Sequence, residues 1–149
     1  MVKILGIDFG IKVFAVCSDG KFFSLEPPKK IAEAAKALAL LCDHASGYDL
    51  VIIEGLKGSD LTAHNIRWFK SSMKRNYPRV RIKRAEHNFP SSRLCNECTS
   101  VDTVSVNRRM ECRACGHVDN RDLNAAKNLR DWGVAYSSRK EATSVADGF

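Results

Sequence analysis

The sequence predicts an α/β protein: a mixed sheet flanked by helices, with a four-cysteine metal module inserted before the last helix. Three observations carry this. Runs of strand-like and helix-like periodicity alternate along the chain, two Cys-x-x-Cys pairs stand at zinc-site spacing, and three acids fall at two predicted strand ends and one predicted helix start. A length of 149 residues suits one core with a small metal-stapled appendage and leaves no room for a second full domain.

Residues 2–8 are β-rich and run into Gly6-Ile7-Asp8-Phe9-Gly10; Val13 to Ser18 and Lys21 to Leu25 form the next two strands, joined by the hairpin signal Asp19-Gly20. Pro27-Pro28 breaks the sheet. Lys29 to Ala45 then places Ile31, Ala34, Ala35, Leu38, Leu41 and Cys42 at helical spacing, and Gly47 is expected to close that helix in the left-handed conformation. Leu50-Val51-Ile52-Ile53 is continuous, the pattern of a strand covered on both faces, and it stops at Glu54-Gly55. Residues 61–76 carry Ile66, Phe69 and Met73 on one helical face, Pro78 ends that helix, and residues 80–85 alternate apolar and basic side chains as a half-exposed strand does. The cysteine module occupies residues 91–118. Asp122 to Trp132 reads as a short last helix closed by Gly133, and the tail from Tyr136 shows no periodicity.

The resulting order, β-β-β-α-β-α-β, metal module, α, is that of the RNase H-like fold. The expected organisation is an RNase H-like body over 1–90 and 119–133, a zinc ribbon over 91–118, and a flexible polar tail over 134–149. No run approaches the roughly 18 apolar residues that span a bilayer, and Asp8 arrives too early for a signal peptide, so a cytoplasmic location is expected.

The net charge of +7 is concentrated: residues 67–93 hold nine bases against the single acid Glu86, and the rest of the chain is nearly neutral. Such a segment suits phosphates, with Arg67, Lys70, Lys74, Arg81 and Lys83 as the expected contacts, although a basic run is as often a solvated face. Cys95-x-x-Cys98 and Cys112-x-x-Cys115, separated by thirteen residues, have the spacing of a tetrahedral zinc site with two knuckles and a hairpin between them. Gly116 follows the second pair, but Thr99 follows the first, where a left-handed residue strains a β-branched side chain. Cys17 and Cys42 lie in apolar runs and are expected to be small buried residues.

Asp8 ends the first strand and Glu54 the fourth. A right-handed crossover sets those strands side by side, and Asp122, opening the last helix, supplies a third carboxylate. Each has an ordinary explanation alone, Asp122 above all as an acid satisfying free helix amides. Together they repel one another unless divalent cations intervene, which is the chemistry of two-metal phosphodiester hydrolysis.

Residues Gly6 to Gly10, Val51-Ile52-Ile53-Glu54-Gly55-Leu56, Phe89 to Cys98 and Cys115 to Leu129 resemble successive signatures of the TnpB (OrfB) transposon nucleases, relatives of type V CRISPR effectors, over about residues 3–132. The resemblance implies a RuvC nuclease site in which Asp8, Glu54 and Asp122 bind two Mg²⁺ or Mn²⁺, beside one structural Zn²⁺ on the four cysteines. Asp119 does not match the third acid; Asp122, two residues before Asn124-Ala125-Ala126, does. The nuclease signature begins at residue 4, without the amino-terminal guide-RNA region of full-length relatives, so guided targeting by this chain alone is not expected. The expected function is a metal-dependent endonuclease acting on branched or single-stranded DNA, with RNA as the second substrate class. Stand-alone RuvC-like enzymes of this kind act as homodimers. The competing readings are a non-catalytic nucleic-acid-binding protein and the remnant of a guided nuclease that needs a separate partner.

Overall fold

β1 (Ile4–Phe9) is the pivot of the fold, with neighbours on both sides. It pairs antiparallel with β2 (Ala15–Cys17) and parallel with β4 (Leu50–Ile53), in a sheet ordered β3-β2-β1-β4-β5 that includes β3 (Phe22–Phe23) and β5 (Arg81–Arg84). Helices α1 (Ile31–Ala45) and α2 (Asp60–Asn76) connect the parallel strands. A second sheet, β6 (Thr103–Val106), β7 (Arg109–Cys112) and β8 (Val118–Asn120), precedes α3 (Arg121–Asp147). This computed structural model describes residues 1–10, 14–23, 31–54 and 60–147; Val13, Leu25, Pro27, Pro28, Gly55, Leu56 and Phe149 lie outside the described residues. No helix among the described residues is long and apolar enough to cross a membrane.

Side chains alternate across the sheet because a strand has a period of two. Leu5, Ile7 and Phe9 of β1 join Val51 and Ile53 of β4 in the core shared with α1 and α2. On the other face, Leu50 and Ile52 pack with Leu129, Ile4 and Trp132 under α3. All four β4 residues are therefore buried, as the unbroken apolar run predicts. The same alternation turns Asp8, two residues beyond Gly6, and Glu54, two beyond Ile52, toward α3.

α3 can approach that face because two glycines clear its path. A Cβ on Gly6 would lie 2.1 Å from the Ala126 carbonyl oxygen, and one on Gly133 would lie 2.4 Å from Ile52 Cγ1. Gly133 is thus a packing residue and not a helix cap, which corrects the expected end of the last helix. The helix backbone continues to Asp147, so the 134–149 segment expected as a flexible tail is helical over most of its length. A second correction concerns Gly47, which is not left-handed. α1 instead closes through bonds from Gly47 N to the His44 carbonyl and from Tyr48 N to the Ala45 carbonyl.

Asp19-Gly20 does form the β2–β3 turn, with Gly20 at φ 93°. Its Asp19 carboxylate accepts hydrogen bonds from Tyr48 Oη at 2.6 Å and from the Lys21 amide at 3.2 Å, and lies 2.6 Å from His44 Nε2. These bonds fasten the hairpin to the end of α1. Cys17 and Cys42 are buried beside it, as expected for small apolar side chains.

Candidate active site and thiol centre

Asp8, Glu54 and Asp122 line one open cleft of about 920 Å³. Burial first, then the charges of Glu54 and Asp122, push the Asp8 carboxyl well above the usual carboxylate range. Glu54 is pushed up to about 7 by burial and then by Asp122. Asp122 is free to face the cleft because the helix amides have another acceptor. Asn120 Oδ1 takes the N–H groups of Asp122 and Leu123 at 2.9 and 3.0 Å, and so is the N-cap of α3. Asp119 stays out of the cleft and pairs with Lys127 at 3.1 Å.

Two of the cleft's three arginines, Arg108 and Arg121, lie outside the basic segment that the sequence singles out, and Arg93 is its last base. Asn107 and Arg108, at φ 51° and 68°, form the two-residue turn between β6 and β7, the left-handed pair such a hairpin needs. The turn docks on the start of α3, with Arg121 N donating to the Arg108 carbonyl at 2.8 Å. The Arg108 guanidinium then pairs with Asp122. Arg93 and Arg121 line the same cleft. The available signal was the Asn-Arg step in the middle of the cysteine spacer, a turn signal whose destination only the fold supplies.

The four thiols of Cys95, Cys98, Cys112 and Cys115 lie within 4.8 Å of one another. Cys98 and Cys112 sulfurs are 3.5 Å apart and those of Cys95 and Cys115 are 3.7 Å apart, too far for disulfides and close to the ~3.8 Å edge of a tetrahedron with zinc–sulfur bonds of about 2.3 Å. The cluster is compatible with a structural zinc. Its two knuckles match: Thr99 N donates to the Cys95 carbonyl at 2.8 Å, and Gly116 N to the Cys112 carbonyl at 2.9 Å. Thr99 takes the left-handed conformation at φ 65° despite its branched side chain. Backbone hydrogen bonds, that of Cys115 first, lower the Cys112 thiol to about 7 and favour a thiolate there.

Two buried asparagines hold this module on α3. Asn124 Nδ2 and Asn128 Nδ2 each donate to the Leu94 carbonyl at 2.7 Å, and Asn96 Nδ2 donates to Asn128 Oδ1 at 3.1 Å. The Asn-Ala-Ala-Lys-Asn run thus reads as ribbon contacts at Asn124 and Asn128, with the intervening alanines buried.

Residues 70–129 match the family model of the Cas12f1-like TNB domain. Over that segment the chain is similar to the Cas12f1-like TNB domain. That match and the thiol cluster bear out the resemblance to TnpB-type proteins and relate the chain to a nucleic-acid-associated function. No curated protein matches the chain. The TNB segment holds the four cysteines and Asp122, while Asp8 and Glu54 stand outside it on β1 and after β4.

The five expected phosphate contacts are divided by the sheet edge. Arg67, Lys70 and Lys74 line a groove of about 470 Å³ along α2, whereas Lys83 lines a groove of about 500 Å³ beside α3. Arg81 lies exposed on β5, the edge strand between them.

Proposed function

We propose that the chain is a divalent-metal-dependent endonuclease of RNase H-like (RuvC) type that hydrolyses phosphodiester bonds of DNA, with RNA as the second substrate class. One observation carries the reading: carboxylates from β1, the end of β4 and the start of α3 line a single cleft, where burial and mutual repulsion raise Asp8 and Glu54. The β3-β2-β1-β4-β5 order and the TNB match support it. Hard oxygen donors at such a density fit a hard divalent cation, which removes the repulsion.

When bound, two Mg²⁺ or Mn²⁺ supply an activated water and neutralise the leaving oxygen, so no covalent intermediate is needed. Asp8 and Glu54 hold their positions because parallel pairing of β1 and β4 fixes both strand ends. Arg108 steadies Asp122, and its buried Nε has no hydrogen-bond partner, a donor that a phosphate oxygen would satisfy. Arg93 and Arg121 add positive charge to the same cleft. A structural zinc on the four cysteines keeps the hairpin that carries Arg108 in shape. Arg67, Lys70, Lys74, Arg81 and Lys83 attract the remaining backbone from either side of the sheet edge.

The test is incubation with single-stranded, duplex and branched DNA and with RNA. Cleavage is expected with Mg²⁺ or Mn²⁺ and none with EDTA. Asp8→Asn should lower the rate at least about a thousandfold while folding and nucleic-acid binding persist. Undiminished cleavage by that variant would sink the proposal.

A further inference from the structure

Where α3 passes the edge strand β5, a groove of about 500 Å³ opens outside the cleft. Trp132 and Tyr136, one helical turn apart, line it with their rings stacked at 5.4 Å and 8°. Lys83 Nζ sits 5.4 Å and Lys140 Nζ 5.8 Å from the Tyr136 ring centre, and Arg139 lines the same groove. The groove adjoins the cleft, because Glu86 lines both. Most of it lies beyond the TNB segment.

We propose that this groove binds a single strand of nucleic acid running to or from the cleft, with a base on the Trp132–Tyr136 stack and phosphates on Lys83, Arg139 and Lys140. This rests on the nuclease reading above. Stacked aromatics framed by cations match the two faces of a nucleotide, a flat π surface and a phosphate. Duplex is disfavoured because its base faces are already covered. An acidic peptide would meet the cations but would have no use for the stack.

In a Trp68→Phe background Trp132 is the sole tryptophan, so its emission reports on the groove. With EDTA present, an oligothymidylate of about 12 nucleotides should quench that emission. Tyr136→Leu keeps apolar bulk but removes the stack, and should weaken single-strand affinity on the order of tenfold while leaving duplex affinity unchanged. Lys83→Gln with Lys140→Gln alters exposed residues only and should reduce the salt dependence of single-strand binding by about 1.4 in log–log slope. Absent quenching, or equal losses on single strand and duplex, would overturn the groove assignment. Cleavage that survives Asp8→Asn would instead overturn the nuclease reading while the quenching and single-strand effects remain.

Discussion

The thiol centre and the carboxylate cleft are both clusters of anion-forming side chains, assembled in opposite ways. The thiols come from one short segment, and two equivalent knuckles bring them within 4.8 Å of one another. The acids come from positions 8, 54 and 122 and meet only after three separate elements have packed. They also stay looser: among the described residues the three form no set within 4.8 Å, and Asp122 pairs with Arg108 as well as facing Asp8. A local cluster is preorganised by its own backbone, whereas a distant one inherits every tolerance of the fold between its parts.

Removing a thiol tests the local half of that contrast and should have the largest effect. Cys112→Ser is expected to abolish stoichiometric zinc, whose binding in small zinc modules is worth on the order of 10 kcal/mol, and to unfold the ribbon. Hydrogen exchange should rise across residues 95–120 while β1 and β4 amides stay protected. Loss of protection in both sheets would mean that the ribbon and body fold as one unit through Asn124 and Asn128.

A change far from any ligand tests the other half. Gly6→Ala forces a methyl group against the Ala126 carbonyl, so α3 must move off the sheet. Urea titration should show a loss of about 3 kcal/mol, with cleavage falling more than stability because Asp122 leaves the other acids. An unchanged midpoint would show that the helix–sheet gap relaxes freely.

A smaller effect is expected from pH. Glu54 binds its proton more tightly in the folded chain, near 7 against 4.5 for an ordinary solvated glutamate. The stability this contributes is complete below about pH 4.5 and is lost as pH rises through about 7, on the order of 3 kcal/mol without added metal. Thermal melts across that window should show the decline, and millimolar Mg²⁺ should reverse it most at the alkaline end. A melting temperature indifferent to both would remove like-charge repulsion from the account.

Much of this molecule was legible before folding. The period of two in β1, the unbroken run of β4, the helical spacing of α1 and α2 and the paired cysteines all follow from local chemistry, so the element order and the thiol set could be read directly. Asp8 and Glu54 stand out in the sequence as acids near the carboxyl ends of apolar runs. What the tertiary structure decided depends on contacts between distant residues. Gly133 looks like a helix stop until Ile52 is found against it, and the segment after it looks like a tail until Tyr136 is found stacked on Trp132. Arg108 shows in the chain only as half of a turn signal, because its role depends on that hairpin turn being delivered to the start of α3. Periodicity reports which face of an element is buried; it is silent on which partner arrives there, since that is set by the packing of the whole sheet.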